Sequence, residues 1–94
     1  MSLIVVANIT PKSGMEPQME NVLRALIEPT LKEPGCVRYE LHRDLESGHL
    51  TFLEEWTDQA ALDDHFQTEH FKAAGPGFEE FGESLEVKRY ERIG

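Results

Sequence analysis

The sequence predicts an α+β fold: a ferredoxin-like β-α-β-β-α-β sandwich, with both helices on one face of a four-stranded antiparallel sheet. Three observations carry this. Hydrophobic periodicity switches between strand-like and helical in that order along 94 residues, the length of one domain spanning 1–94. The two middle strands are joined by a short turn, Glu46-Ser47-Gly48, and so form a hairpin. The first strand is apolar on both sides although helices cover only one. A second copy of the chain is the simplest cover, so a two-fold homodimer with its sheets face to face is expected.

The first strand runs from Leu3 to Ile9, with Asn8 interrupting the side shared by Ile4 and Val6. Thr10 to Gly14 is a loop. Met15, Met19, Val22, Leu23, Leu26, Ile27 and Leu31 recur at helical spacing and define an amphipathic helix, which Pro29 should end or kink in its last turn. Glu33-Pro34-Gly35 breaks the chain. Val37, Tyr39 and Leu41 alternate with Arg38, Glu40 and His42 in a second strand, and Leu50 to Thr57 forms the third. Asp58 is a suitable N-cap for a helix from Gln59 to about Thr68. A further helical piece from about Glu69 to Ala74 should stop at Gly75-Pro76-Gly77, with one more turn around Phe78 and Phe81. Leu85 to about Arg92 closes the sheet.

Nine basic against eighteen acidic side chains give a formal charge of -9. That excludes the basic stripe of a nucleic-acid binder and disfavours anionic membrane surfaces. One cysteine permits no internal disulfide and suits a reducing compartment. The first residues carry no basic segment and only a short apolar run, so neither a signal peptide nor a membrane span is expected, and a cytoplasmic protein is.

The segment with most chemical content is Leu53-Glu54-Glu55-Trp56-Thr57-Asp58, followed by His65 and His70-Phe71. Glu54 and Trp56, two apart in a strand, share a face, and Glu55 points to the other. A plain core would use Leu or Val at position 54, because a buried carboxylate needs a partner. Glu54 serves either a substrate and His65 or an ion pair with Arg38 or Arg43. Trp56 is either a flat pocket wall with an N–H at its tip or a core anchor. His65 follows Leu62 by three and Ala61 by four, so it lies on the inward helix face, where it is the natural proton acceptor near neutral pH or a histidine bonded to backbone. Asn8 is aimed at a ligand oxygen or satisfies local backbone. Tyr39 offers a phenolic hydrogen bond or packs in the core, and His70 faces out or lines the pocket mouth. No metal site is expected: His65 and His70 are five apart, off the i, i+4 spacing of one helix face, and no H-E-x-x-H occurs. Cys36 reads as a small filler rather than a nucleophile. Phosphate loops, dinucleotide fingerprints and G-x-S-x-G are absent.

Asn8, the run Glu33-Pro34-Gly35-Cys36-Val37-Arg38-Tyr39-Glu40-Leu41, Glu54-Glu55-Trp56, Ala61-Leu62, His65 and Thr68-Glu69-His70-Phe71 together resemble the antibiotic biosynthesis monooxygenase domain family, most closely its quinol monooxygenase type, over nearly the whole chain. The resemblance implies a dimeric α+β barrel with a pocket between sheet and helices in each subunit. It implies a small aromatic, quinol-like substrate oxidised by O2 with no cofactor, the deprotonated substrate itself supplying the electrons. His65 would then be the base, Asn8 a donor to an oxyanion or O2, and Trp56 the ring's wall. Glu54, Tyr39 and His70 would bind substrate. In relatives that degrade haem the ligating histidine falls where this chain has Gly75, so haem is not expected. Two other readings fit the same residues: an isomerase of small metabolites with His65 as proton shuttle, and a non-catalytic dimeric ligand-binding or stress protein.

Overall fold

Four antiparallel strands in the spatial order β2-β3-β1-β4 form the sheet of the computed structural model, which describes residues 2–94. Along the chain these are β1 (Leu3–Pro11), α1 (Glu16–Leu31), β2 (Cys36–Arg43), β3 (Leu50–Trp56), α2 (Gln59–Phe66), α3 (Glu69–Phe81) and β4 (Gly82–Glu91). The ferredoxin-like arrangement is as expected, with the second helical segment divided in two. Among the described residues no helix is long and apolar enough to cross a membrane.

Strand alternation sorts the side chains. On β3 every second residue, Leu50, Phe52, Glu54 and Trp56, is buried. Their partners on β1, namely Ile9, Ala7, Val5 and Leu3, share that face because paired residues point the same way. Met19, Leu23 and Leu26 of α1 and Leu62 of α2 complete the core there. On the other face Ile4, Val6 and Leu53 are half-buried and Tyr90 is 47% exposed, an apolar strip that no helix covers.

Three local expectations need correction. Helix α3 does not stop at Gly75-Pro76-Gly77 but runs through to Phe81. Packing against α1 decides this: a β-carbon on Gly77 would stand 2.6 Å from Cγ2 of Val22, so the glycine is what lets the helices approach. Helix α2 ends at Phe66, not Thr68, because Thr68 is the N-cap of α3, where its Oγ1 accepts from the N–H of Phe71. Val37 does not alternate inward with Tyr39. The β2–β3 register slips between Cys36 and Arg38, so Cys36 faces the core and Val37 is 54% exposed. Pro29 is tolerated inside the last turn of α1, which continues to Leu31.

Candidate functional site

The buried carboxyl of Glu54 has a local partner. Trp56, two residues on and fully buried, donates its Nε1–H to Glu54 Oε1 at 2.9 Å. Of the two alternatives for Glu54, the ion pair with Arg38 or Arg43 does not form, since Arg38 bonds Glu40 and Arg43 bonds Glu20. Burial pushes Glu54 up to about 7; the Trp56 hydrogen bond opposes the shift and the charge of Glu33 adds to it.

His65 is 1% exposed, and its ring lies 4.8 Å from that of Trp56 and 5.6 Å from that of Tyr39. Its partner is Glu33, in the turn before β2: His65 Nδ1 and Glu33 Oε2 are 2.8 Å apart. His70 Nε2 reaches the same oxygen at 2.6 Å. The break between α2 and α3 makes this possible. Thr68 donates its hydroxyl to the carbonyl of His65 and starts a new helix, so the two histidines are not bound by the spacing of one helix. A carboxylate accepts from both rings. That fixes the proton of neutral His65 on Nδ1 and leaves its Nε2 as an acceptor. Burial lowers the pKa of His65, against the opposing pull of Glu33. The turn itself is held by Gly35, at φ +88, where a β-carbon would come within 2.7 Å of both Ala61 and Thr57.

Between sheet and helices lies a cavity of about 30 Å³, room for one or two water molecules. Tyr39, Glu54 and His65 bring polar groups to a wall otherwise of Phe52, Phe66, Phe71, Phe78 and aliphatic side chains. Leu85 and Val87 of β4 border it and are about half exposed, which marks the open side. Tyr39 stacks on Phe52 with centroids 4.3 Å apart, and burial next to Glu54 raises its pKa strongly, so the phenol stays protonated. Burial and the charges of Glu33 and Glu54 push the Cys36 thiol up to about 11, which suits a filler rather than a nucleophile.

The residues singled out in the sequence thus part company. Tyr39, Glu54 and His65 meet at the cavity. Trp56 stands behind them with its N–H already engaged, so it is not the cavity wall. His70 turns to Glu33 and to a groove between α1 and α3 rather than to the cavity mouth. Asn8 lies on the opposite side of the sheet, paired with Thr51, whose hydroxyl donates to Asn8 Oδ1 at 2.8 Å. The physical reason is strand parity: position 8 has the opposite parity to Val5, Ala7 and Ile9, which line the cavity. Helix spacing, the ground for expecting no metal site, does not keep these side chains apart: Glu33, His65 and His70 bring one ligand atom each to within 4.8 Å of one another. Sequence reasoning missed Glu33, reading it as a chain breaker. The available signal was an acidic side chain beside a Pro-Gly turn that leads into a core strand.

Fold and site define a class: a ferredoxin-like α+β domain with an aromatic-lined cavity, a buried carboxyl and a buried imidazole between sheet and helices. The chain belongs to the antibiotic biosynthesis monooxygenase family, whose description it matches over residues 2–76. It is similar to the crystal structure of PA3566 from Pseudomonas aeruginosa, at 35% identity and a TM-score of 0.94 over 99% of this chain and 95% of that one. It is similar to a crystal structure titled antibiotic biosynthesis monooxygenase, at 34% identity and a TM-score of 0.89 over 98% and 99% of the two chains. It is also 37% identical over 70 residues, 73% of this chain, to the uncharacterized protein sll1783 of Synechocystis. The chain spans 48% and 66% of the lengths of the two curated relatives it matches.

Proposed function

We propose that the protein is a monooxygenase that oxidises a quinol or polyphenolic ring with O2 and without a cofactor, working as a homodimer. The observation that carries this reading is the buried imidazole of His65, pinned at Nδ1 by Glu33 and free at Nε2 beside an aromatic-lined cavity. Nε2 takes the proton of a substrate hydroxyl. The resulting anion is electron-rich enough to reduce O2 itself: one oxygen atom enters the ring, the ring gives up two further electrons and two protons to end as a hydroxyquinone, and the other oxygen leaves as water. Tyr39, held protonated, donates to the developing oxyanion, and Glu54 exchanges the second proton. Trp56 positions Glu54 through its N–H, and Asn8 has no part. A ring is larger than the resting cavity, so Phe71 and Phe78 swing aside on entry from the β4 side. The uncovered apolar strip of Ile4, Val6, Leu53 and Tyr90 supports the dimer.

A second reading is favoured by one feature, the pairing of a carboxyl near pKa 7 with a neutral imidazole on one cavity, which suits an isomerase moving a proton between carbons. Oxygen consumption with a panel of hydroquinones separates the two. Quinol-dependent uptake that His65→Ala abolishes and Asn8→Ala leaves intact supports the oxygenase. Proton exchange into a carbonyl substrate without uptake refutes it.

A further inference from the structure

We propose that Glu33, His65 and His70 form a binding site for one divalent first-row transition-metal ion, with Glu33 Oε2, His65 Nδ1 and His70 Nε2 as ligands. Two imidazoles and one carboxylate are a ligand set suited to zinc, cobalt or iron, and three protein ligands leave positions open on the ion. The groups come from three separate places, the turn before β2, α2 and α3, and converge on one oxygen at 2.8 and 2.6 Å. Ligands at adjacent corners of an octahedron, with bonds of about 2.1 Å, stand about 3.0 Å apart. The two oxygen–nitrogen separations therefore open by a few tenths of an ångström for an octahedral ion, or to about 3.4 Å for tetrahedral zinc, while the two ring nitrogens, within 4.8 Å of each other, settle around it. The side chains of His65 and Glu33 are 2% and 9% exposed, so two ligands are anchored within the fold. His70, at 23%, gives the ion a way in from the groove between α1 and α3. The chain's net charge of -9 favours a cation overall.

Loading displaces the protons that His65 and His70 share with Glu33. His65, ligated through Nδ1, then carries its single proton on Nε2 as the other tautomer, a donor and no longer an acceptor. Metal occupancy and the base role of His65 exclude one another, so the site is an off-switch for the proposed reaction while its existence is independent of that reaction.

The test is calorimetric titration of Zn2+ and, separately, Co2+ into the full tag-free chain, with no substrate. The expected result is one ion per chain, with affinity at least ~100-fold weaker in both Glu33→Gln and His70→Ala, beyond what loss of an outer hydrogen-bond partner causes. The double variant His42→Ala, His49→Ala, on the exposed hairpin, retains wild-type affinity. Circular dichroism checks folding, and if Glu33→Gln fails to fold, His70→Ala, at the more accessible of the two histidines, decides alone. Absence of saturable binding, binding that survives in His70→Ala within threefold, or loss of binding in the hairpin variant overturns the proposal.

Discussion

Glu33 and His65 are 32 positions apart in the chain and 2.8 Å apart in space. This contact sets which nitrogen of the imidazole carries the proton and leaves the other an acceptor. Glu33→Gln removes the charge but keeps the shape. In quinol-dependent oxygen uptake it should lower kcat by about 10²-fold, the usual worth of a well-placed proton acceptor, with little change in KM. A raised KM with kcat unchanged would place Glu33 in substrate binding instead.

The same pair makes a pH prediction. Burial holds the pKa of His65 below its ordinary 6.5, so activity should fall only as the pH drops through that lowered value. Glu33 pulls the pKa upward, so in Glu33→Gln the acid limb of kcat/KM should move to still lower pH. A limb that moves upward contradicts the assignment of the base.

Glu54 should leave its mark on stability. Its folded pKa of about 7 lies above the ordinary 4.5, so between these values the folded chain binds more protons than the unfolded one. Stability from this group is present below about pH 4.5 and is lost as the pH rises through 7, by at most about 3 kcal/mol. Denaturant unfolding at pH 5 and pH 8 should show a smaller difference in Glu54→Gln than in the wild type, because glutamine does not titrate while its carbonyl still accepts from Trp56.

Gly77→Ala tests the helix crossing. In an open helix the change would stabilise by about 1 kcal/mol. Here the new methyl meets Val22 at 2.6 Å, so a net cost of about 1–3 kcal/mol is expected from thermal or denaturant unfolding. Val22→Ala in the same chain should recover part of it, giving a measurable coupling between the two sites. Additive effects would mean that the helices do not meet there.

The open face of the sheet predicts assembly. Val6→Lys places a charge in the middle of the strip of Ile4, Leu53 and Tyr90, paired across β1 and β3 with Leu53. Sedimentation should find two chains per particle in the wild type and one in the variant. A dimer that survives Val6→Lys uses another surface.

Period and punctuation were enough for much of this protein. Residues alternating at Phe52, Glu54 and Trp56, the helical recurrence from Met19 to Leu26, and the cap at Asp58 are local matters of backbone geometry, and a single chain segment states them. They specified the sheet, the inward face of His65 and the burial of Glu54. Asn8 is legible too, since its parity sets it against the cavity side whatever its polarity suggests. Three things needed the tertiary structure. Helix α3 survives its Gly-Pro-Gly because α1 packs onto Gly77. Trp56 gives its N–H to Glu54 and not to a ligand. Glu33 gathers two histidines that no spacing rule joins, because a break at Thr68 frees them from one helix axis. Each is a contact between segments far apart along the chain, or a choice among partners that only packing offers. Local propensity is blind to such contacts because their free energy arises only once the elements have met.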